Sequence, residues 1–81
     1  MYYVYILISQ KNQEKYYVGI TTDVNRRLSE HNDSKYVSYS NRNAPWKVRT
    51  YIAFEERRSA EQFEIYLKSH SGKAFLTKRL L

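Results

Sequence analysis

A chain of 81 residues with no cysteine is expected to fold around one modest core, with no disulfide to staple it. It must be held by packing alone, so residues 1–81 are expected to form one domain. The same absence excludes thiolate metal sites and thiol catalysis. The material available for packing is aromatic: nine tyrosines, three phenylalanines and one tryptophan bring large buried areas at low side-chain entropy for their size.

The 14 Lys and Arg against 8 Asp and Glu give a formal charge of +6. Such a balance serves solubility, and it also favours polyanions through phosphate neutralisation and counterion release. The cations form no tail or single block, so any binding surface has to be assembled by folding. The longest apolar run, residues 2–8, is too short to span a bilayer. It has no basic stretch before it and no small-residue cleavage site after it. A cytoplasmic protein with no membrane contact is expected.

Residues 2–8 read as an opening strand, rich in aromatic and β-branched side chains and apolar on both faces. A polar stretch over residues 9–14 turns the chain, and residues 15–21 read as a second strand in an antiparallel hairpin. Tyr3, Tyr5 and Leu7 share one face of the first strand, and Tyr17, Gly19 and Thr21 one face of the second. Gly19 marks a bulge or a close approach to the backbone, because strand interiors avoid glycine. Thr21, Thr22 and Asp23 are N-cap candidates for a helix running to about His31. Residues 33–45 lack a clear period and read as loop. In residues 46–54, Val48, Thr50, Ile52 and Phe54 alternate with Lys47, Arg49 and Tyr51, the pattern of a third strand. Ser59 with Gln62 suggests a capping box opening a helix over residues 60–70, with Gly72 as its stop. Residues 73–81 form a short final helix with Phe75, Leu76 and Leu80 available to pack. The order ββαβαα predicts an α+β domain, a small three-stranded antiparallel sheet flanked by helices.

Ionisable residues occupy the apolar stripes of both longer helices. Val24, Arg27, Leu28 and His31 fall at i, i+3, i+4 and i+7, as do Ala60, Phe63, Glu64 and Leu67. Charged side chains rarely face a core unless they are paired or bind something. One explanation is a structural ion pair between Arg27 and Glu64 with His31 a bystander; another is that the side chains snorkel outward. A third is phosphodiester hydrolysis. It needs a cation on the phosphate, which arginine supplies with a planar fork. It needs a carboxylate for a divalent metal, and a general base such as His31 or a sheet tyrosine.

At these residues the chain resembles the GIY-YIG nucleases. Tyr3-Val4-Tyr5 resembles the family's first motif, with Tyr3 in place of its glycine, and Tyr17-Val18-Gly19 is close to the second. The run from Gly19 through Arg26, Arg27 and His31 to Asn32 is similar to the segment carrying the family's active-site arginine. By its spacing after Gly19, that arginine is Arg27. Pro45-Trp46 resembles the branch that includes a structure-selective nuclease subunit cutting branched DNA. The segment around Phe63-Glu64 resembles the one supplying a metal-binding glutamate, which maps to Glu64. Gly72-Lys73-Ala74-Phe75 resembles small stand-alone bacterial members.

The resemblance covers nearly the whole chain. It implies the GIY-YIG fold and a single Mg²⁺ or Mn²⁺ held chiefly by Glu64. It also implies Arg27 on the scissile phosphate, Tyr5 or Tyr17 deprotonating or orienting the attacking water, and His31 as acid, base or phosphate contact. A nucleic acid, DNA above all, is the implied substrate. A free phenol is a poor base at neutral pH and needs a cation beside it; Tyr5 and Tyr17 also suit plain core packing.

Several relatives carry an asparagine in the C-terminal helix, and residues 73–81 contain none; many also have separate DNA-binding domains. Two other readings follow. One is a non-catalytic nucleic-acid-binding module of the same fold. Its surface would use Lys35, Arg42, Lys47 and Arg49, with Tyr36, Tyr39 and Trp46 as stacking platforms. The other is a nuclease subunit that takes its targeting from a partner protein.

Overall fold

The computed structural model describes residues 1–33 and 42–81; Lys35, Tyr36 and Tyr39 lie outside the described residues. The elements are β1 (Tyr2–Ser9), β2 (Tyr16–Thr21), α1 (Val24–Asn32), β3 (Trp46–Phe54), α2 (Arg57–Lys68), α3 (His70–Phe75) and a π-helical turn (Leu76–Leu80). The strands form one antiparallel sheet in the order β2-β1-β3. This is the expected α+β arrangement.

The central strand is buried on both faces because both are covered. Tyr5 and Leu7 pack with Trp46, Val48, Val24 and Leu28 under α1. Val4 and Ile6 pack with Ala60, Phe63, Leu67 and Leu76 under α2 and the C-terminal turn. The period of two in β1 therefore divides its side chains between two small cores, one on each face of the sheet, where one was expected from the length; each helix covers one of them with its apolar stripe. No helix of the described residues is long and apolar enough to cross a membrane.

Three details depart from the sequence reading. First, the alternation along β3 does not keep Val48 and Phe54 on one face. Ile6 pairs with Thr50 but Leu7 with Val48, so Arg49 is an extra residue in a bulge. The bulge turns Val48 toward α1 while Phe54 joins the α2 core.

Second, α2 begins at Arg57, a turn earlier than a Ser59 cap would allow. Glu56 occupies the N-cap without a side-chain hydrogen bond, and the Ala60 amide already bonds the Glu56 carbonyl at 3.3 Å. Only Glu55 and Glu56 separate β3 from the helix, so the chain turns at once and Ser59 and Gln62 lie inside it, exposed.

Third, the break after α2 falls at Ser69, not Gly72. The Ser69 hydroxyl accepts from the Gly72 amide at 3.2 Å and caps α3. Gly72 has no positive φ. Its role is close packing: a Cβ there would overlap the Tyr66 carbonyl oxygen and sit 2.8 Å from Leu67 Cα. The expected final helix is α3 running into the π turn, with Leu76 buried and Phe75 38% exposed.

Candidate active site

Tyr5 and Gly19 face each other across β1 and β2, and Leu7 faces Tyr17, so both tyrosines project under α1. The Tyr5 phenol lies across β2 at Gly19. A Cβ on that glycine would be 2.5 Å from the Tyr5 hydroxyl oxygen and 2.6 Å from its ring carbon Cζ. The close approach expected at Gly19 is thus made by Tyr5. Helix α1 opens on Asp23, whose carboxylate accepts from the Arg26 amide at 3.1 Å. Its inner face brings Arg27 and His31 down together, one turn apart. The last residue, Asn32, clamps the helix to β3. Its side-chain amide donates to the Trp46 carbonyl at 3.1 Å and accepts from the Trp46 amide at 2.6 Å.

The result is one hydrogen-bonded cluster. The Tyr5 hydroxyl lies 2.9 Å from His31 Nε2, and Arg27 Nη2 is 3.5 Å from the same nitrogen. A guanidinium only donates, so Nε2 is the acceptor for both groups, the imidazole proton lies on Nδ1, and Tyr5 donates. The Tyr17 ring centroid lies 4.5 Å from that of His31 and 6.2 Å from that of Tyr5. Tyr5 and His31 are 1% and 4% exposed, whereas Tyr17 and Arg27 are half-buried.

Burial sets the proton positions. It raises the pKa of the Tyr5 phenol; the Arg27 guanidinium opposes the shift, and the charges of Tyr17 and Glu64 add to it. Tyr5 is therefore a neutral hydroxyl at physiological pH. Burial, then the Arg27 charge, pulls the His31 pKa below its ordinary value, with Glu30 pulling the other way. Partial burial also works against the Arg27 charge, but hydrogen bonds to Glu30 and Tyr5 outweigh it and push its pKa upward. Neutral His31 thus accepts from a fixed cation and a neutral phenol.

The depressed His31 pKa has a consequence for stability. Below about pH 6.5 the unfolded chain binds a proton that the folded site resists. The stability gained from neutral His31 is therefore complete above that pH and is lost as pH falls toward the lower folded value. The melting-temperature gap between wild type and His31→Gln is expected to narrow on acidification from about pH 7.5 to 5. A gap independent of pH would contradict a neutral, buried His31.

Glu64 projects from α2, on the other side of the sheet from α1. Arg27 and Glu64 do not pair with each other. Arg27 Nη1 binds Glu30 Oε1 at 2.5 Å, and Lys68 Nζ lies 3.3 Å from Glu64 Oε2. The local partners at i+3 and i+4 are within easier reach. Glu64 keeps 20% side-chain exposure, and its charge acts on the Tyr5 hydroxyl.

The expected nucleic-acid-binding residues are dispersed. Trp46 is no stacking platform: it is 3% exposed and packs in the α1 core, 6.4 Å from Tyr17 between ring centroids. Arg42, Lys47 and Arg49 are exposed, the last two on β3, with β1 between them and Tyr17 on β2. Sequence reasoning missed the Asn32 clamp. Its only sequence signal was a helix-terminal asparagine ahead of a strand.

A family model described as the GIY-YIG catalytic domain matches residues 1–79 of the chain. The chain belongs to the GIY-YIG family. Its relatives include UPF0213 proteins: one from Streptococcus agalactiae is 35% identical over 75 residues, spanning 93% of this chain and 83% of that protein. Another from Listeria welshimeri is 40% identical over 62 residues, spanning 76% and 69%. The solution NMR structure of a UPF0213 protein from Bacillus halodurans matches with a TM-score of 0.54 at 32% identity, covering 96% of this chain and 84% of that one. GIY-YIG proteins form a nuclease family acting on nucleic acid, generally with a divalent metal.

Among the described residues no three His, Asp or Glu side chains gather into a metal cage. A GIY-YIG site with one half-buried carboxylate still fits a small hard cation. Mg²⁺ keeps several waters and takes one or two carboxylates plus substrate phosphate. Glu64 is a carboxylate of that kind.

Proposed function

We propose that the protein is an endonuclease that hydrolyses phosphodiester bonds, those of DNA above all, with one Mg²⁺ or Mn²⁺ held by Glu64. The observation that carries this reading is the convergence of Arg27 and Tyr5 on one imidazole nitrogen of His31, with the Tyr17 ring against the same imidazole. When bound, the metal supplies charge stabilisation and a more acidic water.

The chain's own residues divide by accessibility. Arg27 spends Nη1 on Glu30 and directs Nη2 at His31, which leaves other N–H donors of its five for a phosphate oxygen. Tyr17, half-buried at the margin of the cluster, is the tyrosine a water can reach, and its hydroxyl orients the attacking water. Tyr5 and His31 are too deeply buried to touch substrate. They hold Arg27 and Tyr17 in place and keep a neutral acceptor beside them.

The test is a panel of single-stranded, duplex, flap and junction DNA with Mg²⁺ or Mn²⁺. Wild type is expected to nick at least one of them, and Glu64→Ala to abolish nicking. The variant loses only a partly exposed i,i+4 pair, worth about 0.3–0.5 kcal/mol, so it stays folded. Undiminished cleavage by pure, folded Glu64→Ala protein defeats the proposal. Binding without cleavage by the wild type reduces it to a nucleic-acid-binding module.

A further inference from the structure

Tyr17 also belongs to a second environment. At the outer edge of β2, a cleft of about 500 Å³ runs between that strand and the helices α2 and α3. Among the described residues its walls include Tyr16, Tyr17, Lys15, Lys68 and Lys73, with one carboxylate, Glu14. The three lysines are exposed and the two tyrosines half-buried. Lys68 joins the cleft to the candidate metal carboxylate, since its Nζ lies 3.3 Å from Glu64 Oε2. Among the charged side chains of its walls, the lysines outnumber the carboxylate three to one.

We propose that this cleft seats the single nucleic-acid strand flanking the scissile phosphate. Lys15, Lys68 and Lys73 take backbone phosphates, and Tyr16 offers its ring to an unpaired base. The chemistry favours this occupant over others. Lysine ammoniums are compact, flexible point charges suited to phosphate without base readout. The space lies in the range that holds a nucleotide-sized group. A cationic groove with an aromatic wall is the pattern of sequence-tolerant single-strand binding. Tyr17 is shared by the two places: it lines the cleft and its ring lies 4.5 Å from that of His31 in the Arg27 cluster. The proposal rests on the nuclease reading for its direction, but its test does not use cleavage.

The experiment measures fluorescence-anisotropy binding of a labelled single strand of about 12 nucleotides, in EDTA, over a salt series. The Lys15→Gln/Lys73→Gln protein is expected to bind about tenfold more weakly at low salt. Its slope of log affinity against log salt should shrink by about 1.4, two phosphate contacts at 0.7 each. Tyr16→Leu, which keeps an apolar side chain in the core, should lose about tenfold with the slope unchanged. Lys47→Gln/Arg49→Gln, at the opposite sheet edge, should bind as the wild type does. The inference is overturned if the cleft variant keeps wild-type affinity and slope, if the loss falls on Lys47 and Arg49 instead, or if wild type binds no single strand. Cleft-dependent binding by a wild type that cuts nothing leaves this seat standing and defeats the nuclease reading. Unchanged melting temperatures confirm that each variant is folded.

Discussion

Replacing Arg27 by alanine is expected to slow single-turnover DNA cleavage with Mg²⁺ by about 10²–10³-fold, the usual loss when one fixed donor to a charge-bearing transition state is removed. The fold should survive. Arg27 is a third exposed, and its pair with Glu30 joins two partly exposed side chains, an arrangement that contributes about 0.5 kcal/mol or less after solvent screening. Arg27→Lys should recover part of the rate, because it restores the charge but not the planar fork that reaches His31 and phosphate together. Cleavage by Arg27→Ala within a few-fold of wild type would remove Arg27 from the site.

Gly72→Ala is expected to be the most damaging single-methyl change in the molecule. The added carbon would overlap the Tyr66 carbonyl oxygen and press on Leu67 Cα. Backbone atoms at a helix junction cannot rotate aside as a side chain can. A loss of about 3 kcal/mol follows from overpacking of this kind, a fall of about 12 °C or more in melting temperature for a chain of this size. Ser71→Ala, at an exposed neighbouring position, should stay within about 0.5 kcal/mol. A loss of only about 1 kcal/mol at Gly72 would instead fit the conformational role of a helix-stop glycine.

Much of the architecture was legible because it depends on short-range signals. The period of two in β1 and β2, the Asp23 cap and the inward stripe of Val24, Leu28 and His31 all lie within a few residues of one another. A glycine in a strand points to a bulge or a close approach at Gly19, but that Tyr5 makes the approach depends on the register of the hairpin. The bulge at Arg49 was not legible: an extra residue leaves the apolar-polar alternation of β3 intact on paper while reversing which side of the sheet Val48 faces. Trp46 was misplaced for a related reason. Nothing local indicates that Asn32, fourteen positions earlier, fastens its backbone and turns the ring into the core. The ion pairs show the opposite failing. Arg27 with Glu30 and Glu64 with Lys68 stand at helical spacing in the sequence, and these local partners, not the long-range pairing of Arg27 with Glu64, satisfy the charges. The cationic cleft escaped because Lys15, Lys68 and Lys73 come from three elements that only the fold brings together.

The outer side of β2, which no other strand of the described residues pairs, also bears on how these molecules behave at high concentration. An unpaired strand edge is a template on which a second chain can add, and proteins commonly guard such edges with lysine. Lys15, Lys68 and Lys73 stand along this edge and would repel another copy of the same surface. Neutralising them to weaken DNA binding therefore also removes an electrostatic guard against edge-to-edge association. The same three charges that would draw in a polyanion would keep the protein from polymerising on itself, which makes them hard to lose one role at a time.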